Sequence, residues 1–218
     1  MRGSTRRVIG VLVAAVGMVL VVVGAWFVVK LGPAGEAHFS ATLKAPGAIV
    51  VTSDVLNAVA VPVQVTVTRP HGGAVLVVAA ASTDARAIVS HREVSTVSAV
   101  HFPAGTLDLR ASGTGALGDI STADVWRLTS RGAGSATLVV DQGRAPETAV
   151  VTSGDTTALT DVTVTLTWAD RAWFFEALVT VMIGAVIAAF SLNDRWQGRA
   201  IVFRGAVAGR GPGRRRHV

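Results

Sequence analysis

Apolar residues fall along this chain in two patterns, long unbroken runs near the ends and short alternating stretches between them. Residues 8–29 and 172–192 form the runs, 22 and 21 residues long. At ~1.5 Å rise per residue each covers about 30 Å as a helix, the thickness of a bilayer's hydrocarbon core. The pattern predicts two transmembrane helices, with residues 1–7 and 193–218 beyond them and a domain of residues 31–171 between. In that domain Val59, Val61, Val63, Val65 and Val67 alternate with Ala60, Pro62, Gln64, Thr66 and Thr68. Val162, Val164, Leu166 and Trp168 alternate in the same way with Thr163, Thr165 and Thr167. A period of two marks a strand with one buried face.

Eight further strands are read at residues 37–44, 48–52, 74–80, 94–102, 106–111, 125–130, 136–141 and 148–152. Turn formers such as Arg69-Pro-His-Gly-Gly, Phe102-Pro-Ala-Gly and Arg131-Gly-Ala-Gly separate them. Residues 82–90 break the pattern with a short amphipathic run opened by a capping Ser or Thr, which predicts one or two helical turns. Pro62 lacks an amide proton, so its strand is expected at an edge or with a bulge. The fold class that follows is mainly β with two transmembrane helices, the middle an extracytoplasmic antiparallel β-sandwich, Ig-like or jelly-roll-like.

Charge sets the orientation. Residues 31–170 carry 12 acidic and 8 basic side chains, whereas residues 193–218 carry seven arginines and one aspartate. The net charge of +6 thus belongs to the ends of the chain, and a nucleic-acid role loses its main support. Arg2, Arg6 and Arg7 precede the first run, and only Lys30 and Arg171 lie immediately inside the two runs. The positive-inside rule therefore puts both termini in the cytoplasm and residues 31–171 outside, a multi-pass cell-membrane protein. A cleaved signal peptide competes for residues 8–29, but the run is longer than a signal h-region and no clean A-x-A site follows it. Trp26 and Phe27 close the first run while Trp173, Phe174 and Phe175 open the second, so aromatic belts fall at one leaflet. Glu176, the only ionisable residue inside either run, sits within the first turns beside these rings and reads as a membrane-interface group.

Small residues recur along both runs: Gly10, Ala14, Gly17 and Gly24 in the first, Ala177, Gly184 and Ala188 in the second. Small side chains let helix backbones approach closely in lipid, so these faces are expected to pack on each other; homodimerisation through the same stripe is the alternative. In the tail, Arg195, Arg199 and Arg204 flank an apolar face of Trp196, Ala200, Phe203 and Val207. They are candidates for anionic lipid headgroups on a short interfacial helix, with disorder from Gly209 onward. A plain basic stop that sets topology is the competing account.

Candidate chemistry is sparse. The chain has no cysteine, which excludes disulfides, thiolate metal sites and cysteine nucleophiles. Gly113-Thr-Gly-Ala-Leu-Gly matches G-x-G-x-x-G, but Asp119-Ile-Ser-Thr-Ala-Asp leads on to a strand instead of the helix a pyrophosphate needs, so a plain loop is read. His38, His71, His91 and His101 lack metal-ligand spacing. His91 with Glu93, or His101 beside a serine-bearing strand, makes an acid–base pair only on paper. No catalytic residue, cofactor or metal is assigned.

Gly32-Pro-Ala-Gly-Glu-Ala-His-Phe-Ser-Ala-Thr-Leu, Ala45-Pro-Gly-Ala-Ile-Val-Val, and Trp126 followed by Gly132-Ala-Gly-Ser-Ala-Thr-Leu-Val-Val resemble uncharacterised actinobacterial membrane proteins. Those proteins hold an extracytoplasmic β-domain near one or two helices. The resemblance implies a place in the cell envelope and no activity, and it carries over no site residue. The functional expectation is a non-catalytic binding or assembly module whose partners are membrane lipids and an envelope protein. An accessory subunit acting through its helices is the first alternative, and a membrane-tethered hydrolase the second.

Overall fold

The structure is a computed structural model that describes residues 2–44, 47–102, 104–141, 143, 146–154 and 159–207, with backbone alone at residues 2–7 and 192–207. The chain divides into a β unit, Ala34–Arg171, and a helical unit supplied by its two ends.

The helical unit holds α1 (Arg2–Leu31) and α4 (Arg171–Val207). Each contains a stretch long and apolar enough to cross a membrane, Val8–Leu31 and Arg171–Ser191. Both helices outrun the lengths read from hydropathy. α4 continues without a break through residues 193–207, so the basic segment expected as a separate interfacial helix extends the second apolar run. The disorder expected from Gly209 lies outside the described residues.

The β unit contains β1 (Glu36–Leu43), β2 (Ala48–Val51), α2 (Ser53–Leu56), β3 (Val63–Thr68), β4 (Ala74–Ala81) and α3 (Ser82–Val89). It continues with β5 (Val94–His101), β6 (Thr106–Ser112), β7 (Leu128–Ala133), β8 (Ser135–Val140), β9 (Glu147–Ser153) and β10 (Val162–Ala169). All ten strands form one sheet in the order β7-β4-β9-β2-β5-β6-β1-β10-β3-β8. Its two end strands, β7 and β8, are consecutive in the chain with Gly134 alone between them. The Gly134 amide donates to Gly73 O and its carbonyl accepts from Arg69 N, both at 2.7 Å, which ties this turn to the β3–β4 hairpin. The sheet is therefore barrel-like, in place of the Ig-like or jelly-roll-like sandwich expected. Nor is it wholly antiparallel, because β2 pairs with β5 and β1 with β6 in parallel.

One face of the sheet is continuous and apolar from strand to strand. Across the antiparallel ladders Phe39 opposes Leu166, Leu166 opposes Val65, and Val65 opposes Leu138. On β4 and β9 the same face presents Val77 opposite Val151. Phe39 and Trp168 meet edge to face at 5.5 Å between ring centres. On the other face the wall is of two kinds. β3, β8 and β10 alternate buried with open positions, whereas β4 and β9 are buried at nearly every residue. Over that second face, Leu76, Val78, Ala80 and Val150 pack with Ala85 and Val89 of α3, Ile120, and half-buried Ile88, Leu117 and Trp126.

Three local expectations are corrected. The alternation at residues 59–62 does not form strand: α2 occupies 53–56, and β3 starts after Pro62 as an inner strand between β10 and β8. Proline thus stands where no ladder hydrogen bond is required, which removes the need for an edge. The strand expected at 125–130 lies at Leu128–Ala133. α3 carries no Ser or Thr side-chain cap, since its N-cap is Ala81. Instead Ser82 Oγ donates to Pro146 O at 3.0 Å and accepts from Thr148 Oγ1 at 3.0 Å, pinning the helix start to β9.

Candidate functional site

The open face of β6, β1, β10, β3 and β8 gathers most of the polar side chains that the fold brings together. It follows directly from the alternation: where Val, Leu, Phe and Trp turn inward, the intervening Thr, Ser, Gln and His must turn outward. Register places them in rows. Thr106, Ser40, Thr165, Thr66 and Thr137 make one; Thr42, Thr163, Thr68 and Ser135 a second; His38, Thr167 and Gln64 a third, which ends on the exposed apolar Val139. Hydroxyls meet across strands at 3.0 Å between Thr42 and Thr163 and at 3.2 Å between Thr66 and Thr137, while Gln64 Nε2 donates to Thr66 Oγ1 at 3.3 Å. Such hydroxyls keep spare donor and acceptor capacity after one cross-strand bond.

At one corner of this face His38 is held on both ring nitrogens. Nδ1 lies 3.0 Å from Thr167 Oγ1 and Nε2 lies 3.0 Å from Glu36 Oε2. A second pair, His101 Nε2 with Asp108 Oδ2 at 2.9 Å, lies on β5 and β6. The order hydroxyl–imidazole–carboxylate is that of a nucleophile, base and orienter, but the His38 and Glu36 side chains are 55% and 42% exposed on an open strand face. Catalysis of that kind works best in a water-excluding site, whereas these side chains are open to solvent. Glu36-x-His38 on one strand is a signal that alternation alone could have found, because i and i+2 share a face; its partner Thr167 needed the register.

The pairs set aside above as existing only on paper are not formed among the described residues. His91 sits at φ +63° after α3, and its carbonyl accepts from Gly115 N at 3.1 Å. Glu93 N donates to Gly115 O at 2.6 Å, and Arg92 Nη1 to Ala116 O at 2.8 Å. The G-x-G-x-x-G stretch is thus a loop locked onto residues 91–93. A Cβ on Gly113, whose φ is +77°, would overlap the carbonyl of Arg92, so glycine here serves a close backbone approach and not a phosphate. His71 lies in the β3–β4 turn. Among the described residues no three His, Asp or Glu side chains gather as metal ligands.

Two buried polar atoms escaped the sequence reading. Glu147, 7% exposed, holds Oε1 at 3.8 Å from Arg127 Nη1, and its Oε2 has no hydrogen-bond partner. Trp168 Nε1 is likewise buried without one. Alternation marks Trp168 for the buried face, but nothing in the sequence signals that its Nε1 lacks a partner there or that Glu147 is buried.

In the helical unit the small-residue stripes face each other. A Cβ on Gly17 would come within 2.8 Å of Ala188 N and Gly184 O, and one on Gly184 within 2.7 Å of Gly17 O. Gly24 lies against Val181 and Ala177, where a Cβ would be 3.0 Å from the Ala177 carbonyl oxygen. Ala14 is half-buried in the same row, whereas a Cβ on Gly10 would meet nothing within 4 Å. Val8, Leu12, Val19, Met182, Ile183 and Phe190 are among the large apolar side chains exposed on the remaining faces. Trp26 and Phe27 form an edge-to-face pair at 4.9 Å in the last turns of α1, and Phe174 and Phe175 one at 5.7 Å in the first turns of α4. Trp173 is half-buried and Glu176 exposed next to them. The side chains of Arg195, Arg199 and Arg204 lie outside the described residues.

Comparison with protein-family models, curated proteins and solved structures finds no match to this chain.

Proposed function

We propose that this is a two-pass cell-membrane protein that carries a barrel-like domain outside the cytoplasm as a non-catalytic binding or assembly module. The observation that carries the reading is the placement of the two tethers. β1 begins and β10 ends as a directly paired couple, Glu36 opposite Ala169, and each leads within a few residues to an apolar helix. Asp170 N donates to Gly35 O at 3.0 Å, so the two connections leave the domain side by side. Helices that enter and return at one point fit a domain mounted on one side of a bilayer, and the arginine-rich outer flanks favour cytoplasmic ends.

The close approach at Gly17, Gly24 and Gly184 supports pairing of the two helices within one chain, which occupies the stripe that homodimerisation would need. Apolar side chains on their other faces suit membrane lipid. The hydroxyl-rich strand face is the surface offered to an envelope partner: open, largely uncharged, and dense in groups that donate and accept.

A photo-crosslinking amino acid placed at Thr137 and, separately, at Val186 tests this reading in intact cells. Adducts from Thr137 with an envelope component are expected; adducts from Val186 alone would transfer the role to the helices and overturn it. A membrane-impermeant maleimide should also label Ser40→Cys without lysis, since the chain has no other thiol.

A further inference from the structure

The segment between α2 and β3 is apolar where the fold gives it no core to enter. Residues 57–62 read Asn-Ala-Val-Ala-Val-Pro; Ala58, Ala60 and Pro62 are exposed, and Val59 and Val61 only half-buried. Neither this loop nor any position from Val55 to Thr68 carries a charge. The alternation that elsewhere marks a strand here faces the outside, and local patterns that miss the fold tend to mark functional surface.

Register fixes where the loop lies. β3 begins at Val63, which pairs with Trp168, one residue before β10 ends at Ala169. The loop therefore sits at the barrel end from which both tethers leave. α2, which precedes it, buries Val55 and Leu56 beyond the end of β2, so residues 57–62 run across that end of the barrel to reach β3. The β5–β6 turn adjoins the same end: Ser40 N donates to Gly105 O at 3.0 Å, and the turn exposes Phe102, 43% open and with its ring 6.0 Å from Phe39. Connectivity limits the reach. Arg171, where the second apolar stretch starts, is two chain steps from Ala169, at most about 7 Å; Glu36 is five steps from Leu31, at most about 17 Å. Charged side chains at this end include Glu36, Asp54 in α2, Asp141, Asp170 and Arg171, which must stay at headgroup level. The turn at the far end instead carries Arg69 and His71.

We infer that residues 57–62 dock into the interfacial layer of the bilayer that holds the two helices. The inference rests on the membrane reading above. Shallow insertion of a short uncharged loop needs no helix, only apolar side chains held at the boundary by chain already anchored there.

The absence of cysteine makes the test direct. Full-length chains bearing single cysteines at Ala60, Ala58, His71 or Val186 are labelled with an environment-sensitive fluorophore. They are then placed in phosphatidylcholine nanodiscs carrying nitroxide on the headgroup or on the acyl chain. Labels at 58 and 60 should be blue-shifted and quenched by headgroup nitroxide, and the label at 71, a strand's length away, should be neither. Equal quenching at 60 and 71, with 186 quenched by the acyl-chain nitroxide, would overturn the docking inference alone. Loss of acyl-chain quenching at 186 would overturn the membrane reading and this inference with it.

Discussion

The two halves of the barrel wall solve different burial problems. In β3, β8 and β10 one face is apolar and closed while the other is Thr, Ser and Gln open to solvent, and the residues alternate accordingly. In β4, Ala-Val-Leu-Val-Val-Ala-Ala-Ala, nearly every side chain is apolar and buried, because α3 and the loop through Ile120 and Trp126 cover its second face. Alternation thus reports a wall one layer thick, and its absence reports a second layer.

The largest expected effect separates the halves directly. Val78→Asp places a carboxylate between β4 and α3, in a cluster of apolar side chains, and should cost several kcal/mol and abolish cooperative unfolding. Thr66→Asp, on the open face, should cost about 1 kcal/mol or less, within the range of strand propensity. Denaturant titration of both variants in detergent checks this; equal losses would mean that the Thr face is covered as well. A smaller effect probes the loop that makes the second layer. Trp126 Nε1 donates to Ile120 O at 2.6 Å, and Trp126→Phe should lose about 1 kcal/mol by leaving that carbonyl unpaired, read as a shift of the same unfolding midpoint.

The smallest effect is electrostatic and lies in the same loop. Hydrogen bonds from the Ser121 hydroxyl and then from its amide, the latter at 2.8 Å, hold the Asp119 carboxyl below the usual carboxylate range. A depressed folded-state pKa contributes stability above the unfolded value of about 3.9 and loses it as pH falls through the folded one. Asp119→Ala should therefore lower the melting temperature slightly at pH 7 and not at all once both carboxyl states are protonated. Melting curves of the two proteins that stay parallel from pH 7 down to acid would refute it.

Most elements were legible in the sequence, and the reason differs for each kind. The alternating valines and threonines of β3 and β10 and the apolar ends of α1 and α4 declare themselves because solvent partition acts on each residue where it stands. The short helix at α3 was readable for the same reason, although its anchoring by Ser82 to Pro146 and Thr148 was not, since Pro146 lies 64 residues away. Residues 59–62 misled: the alternation there falls in a loop that leaves Val59 and Val61 only half-buried, and the pairing of β3 begins after it, at Val63. Of the candidate site, Glu36 and His38 were visible as neighbours on one face, but Thr167 joined them only through the pairing of β1 with β10.

What the sequence alone determined was partition: two lengths of chain suited to hydrocarbon, ten strands, and one polar and one apolar edge to most of them. Closure belonged to the tertiary structure. Whether ten strands split into two sheets or run on as one depends on pairings between distant segments, such as β2 with β5 and β1 with β6, and on Gly134 joining the first strand of the order to the last. Strand pairing uses backbone hydrogen bonds that every sequence can make, so the choice among partners rests on the summed fit of buried faces, a property no single segment carries.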